Sequence, residues 1–150
     1  MRRLATVGFL LALTCAAATA GAATAPFTAK RTTACLTLHQ VISNPAAKKD
    51  VLPPGYPAVA ALEFSFAMIP AQAVDHGALV FERNSATAQL VATKWIAYSI
   101  QQAMRVQGID QDKARARILG SVSLRRNVIT LWENDHVKPA SRARIAGCLR

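Results

Sequence analysis

"ALEFSFAMI", residues 61–69, alternates large apolar side chains with small or polar ones. Leu62, Phe64, Phe66 and Met68 fall on one side of an extended chain, and Glu63, Ser65 and Ala67 on the other. A period of two marks a strand with one face on a core, because successive side chains of a pleated strand point to opposite sides. Pro70 ends the run, since proline cannot donate to a ladder. After a loop at "PAQAVDHG" (70–77), "ALVFER" (78–83) reads as a second strand, and the two are expected to pair antiparallel.

Outward from this pair the pattern changes. "SATAQLVATKWIAYSIQQAMRVQG" (85–108) has Val91, Trp95 and Tyr98 on one helical stripe and Ile96, Ile100, Ala103 and Met104 on the next. Asn84 or Ser85 suits its start, where a side-chain oxygen accepts a free amide hydrogen. Gly108 suits its end. With few charges and a wide apolar face, this is the expected central helix against the sheet.

Residues 110–117 are charged and read as a short helix or a turn. "ILGSVSL" (118–124) and "VITLWE" (128–133) read as two strands joined near Arg125-Arg126-Asn127, with Val128, Thr130 and Trp132 on one face. After Pro139, "ASRARIAGCL" (140–149) closes as a short helix with Ile145 and Leu149 inward and Arg142 and Arg144 outward.

Upstream, "ACLTLHQVISNP" (34–45) places Cys35, Leu38 and Ile42 on one helical face, although Leu36 and Leu38 also permit a strand. "AAKKDVLPPGYP" (46–57) is a connector by its prolines and glycine. The order predicts an α+β fold: an antiparallel sheet of about four strands packed by a long central helix and shorter terminal helices. "SVSLRRNVITLWENDHVKPASRARIA" (121–146) is similar in element order to the BON domain of bacterial periplasmic proteins. Asn127 stands where that family usually has glycine, and the likeness covers under half the chain.

The first residues have another character. Arg2 and Arg3 precede an uncharged, mostly apolar run from Leu4 to Leu13, and small residues follow to Ala25. This is the layout of a secretory signal peptide, with small-x-small cleavage patterns at 18–20 and 20–22. Ten helical residues rise about 15 Å, half of a hydrocarbon core of about 30 Å. The expected division is a signal peptide at 1–22, a flexible tail at 23–33 and one domain at 34–150. Cys15 leaves with the signal; Ala12-Leu13-Thr14 before it matches a lipidation site poorly.

Cys35 and Cys148 then remain, and export to an oxidising compartment predicts that they pair. Closing a loop of 113 positions removes about 4–5 kcal/mol of unfolded-chain entropy in the loop-closure model. Neither lies in a C-x-x-C pair, so no redox or zinc motif is indicated.

The chain carries a formal charge of +10, distributed unevenly. Residues 51–100 set Arg83 and Lys94 against Glu63, Asp75 and Glu82, whereas residues 101–150 hold ten Lys or Arg and four acids. Lys113, Arg115, Arg117, Arg125, Arg126, Arg142 and Arg144 form the expected surface for an anionic partner. No nucleic-acid-binding motif is present.

His39, His76 and His136 lie in no metal-binding spacing. Asp75-His76 and Asp135-His136 repeat a dipeptide, and with Glu133 they are the candidates for an acid–base cluster if their loops meet. No nucleophile elbow or phosphate-binding loop occurs, so no catalytic residue, metal or cofactor is assigned. The expectation is a small exported binding protein without catalysis, periplasmic or secreted and of bacterial type. Its partner is another protein, such as an exported toxin it neutralises, or an anionic envelope component. The alternatives are a small envelope-directed hydrolase and a membrane-anchored structural envelope protein.

Overall fold

Strands β2 (Ala60–Phe66) and β3 (His76–Phe81) pair antiparallel, with Phe64 opposite Gly77, in the computed structural model, which describes residues 25–66 and 75–150. The signal peptide expected at 1–22, with Cys15, and Met68 and Pro70 lie outside those residues. Strands β4 (Val122–Arg125) and β5 (Val128–Trp132) form the second pair, and β5 lies antiparallel beside β3. A further strand, β1 (Val41–Pro45), pairs with β2, giving a five-stranded antiparallel sheet ordered β1-β2-β3-β5-β4.

The extra strand corrects the reading of residues 34–45 as one helix. Helix α1 spans Ala29–Leu38, and Gln40 turns the chain at a φ of 57° into β1. Leu38 and Ile42, expected inward, are 83% and 51% exposed, whereas Leu36 and Val41 are buried. Helix α1 also begins inside the segment read as a tail, because Thr28 accepts the amide hydrogen of Arg31. Within the expected connector, Lys48–Val51 form a single turn, α2.

Helix α3 (Ser85–Gln107) matches its expected limits, with Asn84 capping Thr87 N at 2.8 Å and Gly108 at a φ of 65°. Helix α4 (Gln111–Ser121) is longer than the charged stretch suggested. Asp110 caps its start by accepting from Lys113 N, and it runs through Gly120, leaving only Val122 onward for the strand. Helix α5 (Pro139–Cys148) has proline in its first turn and no side-chain cap of its own. Asp75 supplies one from across the fold, accepting from Lys138 N at 3.2 Å and Ser141 Oγ at 2.6 Å.

Helices cover both faces of the sheet. On one face Leu62, Phe64, Phe66, Leu79, Phe81, Val128 and Trp132 pack with Leu36 of α1 and Ile145 and Leu149 of the α5 end. On the other, Val80, Ile129 and Leu131 pack with Ala88, Val91 and Ala92 of α3 and with Leu52. Every residue of β5 is consequently buried. Burying one such leucine or isoleucine contributes about 2 kcal/mol. The Cys35–Cys148 disulfide joins α1 to α5, with Cα atoms 5.5 Å apart.

Asn127, where the sequence departs from glycine, is 2% exposed. Its side-chain amide exchanges two hydrogen bonds with the Phe27 main chain and donates a third to Glu82 O. Arg126, at a φ of 52°, lays its guanidinium over the Phe27 ring. The main chain at Phe27 is thereby clamped to the β4–β5 turn. Asn127→Ala leaves three main-chain groups without their partner. It should lower stability by about 2–3 kcal/mol, read as a fall in the urea midpoint with an unchanged slope.

Candidate functional site

Helix α3 lies toward the β5–β4 side of its sheet face and packs on α4. The β1–β2–β3 side of that face stays open near the chain-start end of β3. A cleft of about 390 Å³ forms there, walled by Asp50 and Val51 of α2 and by Trp95 of α3. The strand register dictates its floor. Ile42, Ser65 and His76 sit in one row across β1, β2 and β3, and Asn44, Glu63, Ala78 and Leu131 in the next. Glu133, one residue past β5, extends the first row, donating its backbone N–H to His76 O at 3.2 Å.

These outward positions are the polar half of the alternation in β2: Glu63 and Ser65 stand between the buried Leu62, Phe64 and Phe66. Glu133 Oε2 contacts His76 Nε2, so the imidazole and the carboxylate act as one hydrogen-bonded unit. Among the described residues, three carboxylates, from Asp50, Glu63 and Glu133, therefore line the cleft, and neither lysine nor arginine does.

Behind the floor, Gly77 admits a close approach. A methyl group there would sit 2.2 Å from Leu131 O and 3.0 Å from the Phe64 ring. The space is taken by Phe64 against Trp132, edge to face with centroids 4.9 Å apart. The β3–β5 ladder, which pairs Gly77 with Trp132, carries Glu133 to His76.

The five acid–base candidates separate. His76 and Glu133 meet in the cleft. Asp75 is buried in the α5 cap and serves structure. Asp135 lies 3.5 Å from its neighbour His136, whose side chain is almost wholly exposed. The repeated Asp-His dipeptide thus places its two histidines in different surroundings. Asp50, Glu63, Ser65, Asn44 and Trp95 were not singled out as a site from sequence; the polar outward positions of β2 were the available signal.

The expected basic surface is also divided, and much of it has internal work. Lys113 pairs with Asp110 at 3.5 Å, and Arg117 donates to Gln107 Oε1 at 2.7 Å. Arg125 donates to Ala146 O, and Arg142 reaches Gly120 O while lying over the Trp132 ring, so it does not point outward as expected. Arg126 covers Phe27; of the seven, Arg142 is half-buried and the other six are exposed.

One carboxylate stands apart from the cleft. Glu82 is buried just past the end of β3, with its Oε1 lacking a hydrogen-bond partner among the described residues. Burial pushes its pKa up, and the positive charge of Lys48 pulls it partly back. A folded-state pKa above the unfolded one means stability that is complete below the unfolded value and lost as pH rises through the folded value. Glu82→Gln should raise the melting temperature at pH 7.5, and the difference should shrink toward pH 4. Thermal melts at both pH values check this.

The chain matches no known family model, and no curated protein or solved structure shows significant similarity to it. The likeness of residues 121–146 to the BON domain rests on element order alone.

Proposed function

We propose that this chain is a small exported binding protein without catalytic activity, whose protein partner places a lysine or arginine side chain in the α2–α3 cleft. One observation carries the reading: a concave site lined by three carboxylates lies on a chain of formal charge +10. A guanidinium or ammonium entering it gains charge-assisted hydrogen bonds from Asp50, Glu63 and Glu133. Trp95 supplies an aromatic wall, which favours a cation by its ring quadrupole. The basic remainder of the surface turns aside other cations and favours a partner whose own charge is mixed. Export is supported by the leader pattern, and the disulfide is compatible with it.

A hydrolase is the second reading, and the register gives it a specific form. Ser65, His76 and Glu133 follow one another across three adjacent strands, in the order nucleophile, base, carboxylate. Acyl transfer also needs preorganised donors for the oxyanion. Main-chain N–H groups of a central strand lie in the sheet plane and serve the ladders, which leaves the Asn44 side chain as the amide near this row. Binding is therefore the better-supported use of the cleft.

Capture of the partner from envelope extract by the mature protein tests the reading. Glu63→Lys should weaken capture at least tenfold, while Arg115→Glu with Arg144→Glu should leave it within twofold. The reverse result would move the site to the basic surface and an anionic envelope component. Hydrolysis of an ester or amide that is lost in both Ser65→Ala and His76→Ala would replace binding with catalysis.

A further inference from the structure

Among the described residues, Cys35, His39 and Cys148 form the set of three metal-ligating side chains whose donor atoms all come within 4.8 Å of one another. Two elements bring them together. Cys35 and His39 are one turn apart on α1, where His39 is the C-cap and donates its N–H to Cys35 O. Cys148 ends α5 and is held on α1 by the packing of Leu36, Ile145 and Leu149 in the same core.

We propose that this site has two chemical states: a disulfide when oxidised and a zinc-class metal centre when reduced. Tetrahedral zinc with sulfur bonds of about 2.3 Å sets its two sulfurs about 3.8 Å apart. Opening the sulfur–sulfur bond to that spacing takes side-chain rotation rather than movement of α1 against α5. His39 is exposed, so the third ligand reaches the metal from the solvent side. A fourth position is then filled by water, as in sites with three protein ligands.

The chemistry balances in two steps. A small dithiol gives two electrons and two protons to the disulfide, leaving Cys35 and Cys148 as thiols and becoming a disulfide itself. The metal then displaces both thiol protons, which pass to solvent, and binds two thiolates and neutral imidazole. Either state closes the same loop between the first and last helices. The metal therefore substitutes for the disulfide wherever the chain meets a reducing environment.

The test uses the purified mature protein, reduced with a phosphine that does not itself bind the metal, and titrated with Co²⁺ and then Zn²⁺ without oxygen. The reduced chain should take up one Co²⁺, showing sulfur-to-cobalt charge transfer and tetrahedral d–d bands, and Zn²⁺ should displace it. The oxidised chain should show neither. His39→Ala should weaken the reduced chain's affinity at least tenfold, and His39→Cys should restore it. Should reduction unfold the termini, Zn²⁺ should recover the far-ultraviolet circular dichroism of the oxidised protein. Absence of cobalt bands together with no such recovery overturns the proposal, as does equal binding by the oxidised chain or by His39→Ala.

Discussion

Strand β3 meets β5 across a position that has no side chain. Where a side chain would stand, Gly77 leaves room for the Leu131 carbonyl and for the Phe64 ring, which meets Trp132 edge to face. This ladder is the join between two units that are each local in sequence. One is the β1–β2–β3 meander, and the other is the β4–β5 hairpin with its flanking helices. Without the ladder each unit would expose an edge of unpaired main-chain groups. Both cores, and the contact between His76 and Glu133, are downstream of it.

Joining the units puts β5 between β3 and β4 in a sheet covered on both faces, and that explains its composition. "VITLW" has an apolar or hydroxyl side chain at each position because no face of it meets water. The helices are not symmetrically placed over this sheet. Helices α1 and α5 are tied by the disulfide over one face, whereas α3 shares the other with α4 and the short α2 turn. The uneven cover on that second face is what makes a cleft. Small residues of α3, Ala88 and Ala92 beside Val91, let the helix sit close to the sheet. Leu90, Tyr98, Met104 and Val106 remain substantially exposed.

Charge follows the same division. Arg125 and Arg142 fold back on the Ala146 and Gly120 carbonyls and the Trp132 ring, which uses their donors in holding the hairpin and its flanking helices together. The carboxylates are scattered through the sequence and converge only because α2, β2 and the end of β5 border one opening. A positive chain with a negative cleft is the electrostatic basis of the binding role proposed for it.

The sequence by itself determined the β2–β3 pair, both ends of α3, the β4–β5 hairpin, the inward Ile145 and Leu149, and the α+β class. These are set by alternation, periodicity and capping within a few residues, and such local terms do not depend on the rest of the chain. The Cys35–Cys148 link was legible as well, since only two cysteines follow residue 22. Tertiary structure decided the rest. Strand β1 forms because Gln40 breaks the helix and the open edge of β2 offers partners to residues 41–45. Asp75 becomes a helix cap and His76 a lining residue because adjacent side chains of an extended chain face opposite ways. Which of Asp75, Glu133 and Asp135 would meet a histidine depended on a register between β3 and β5 spanning more than fifty residues. No pattern within either strand encodes that register, which sets Gly77 opposite Trp132 where no side chain fits.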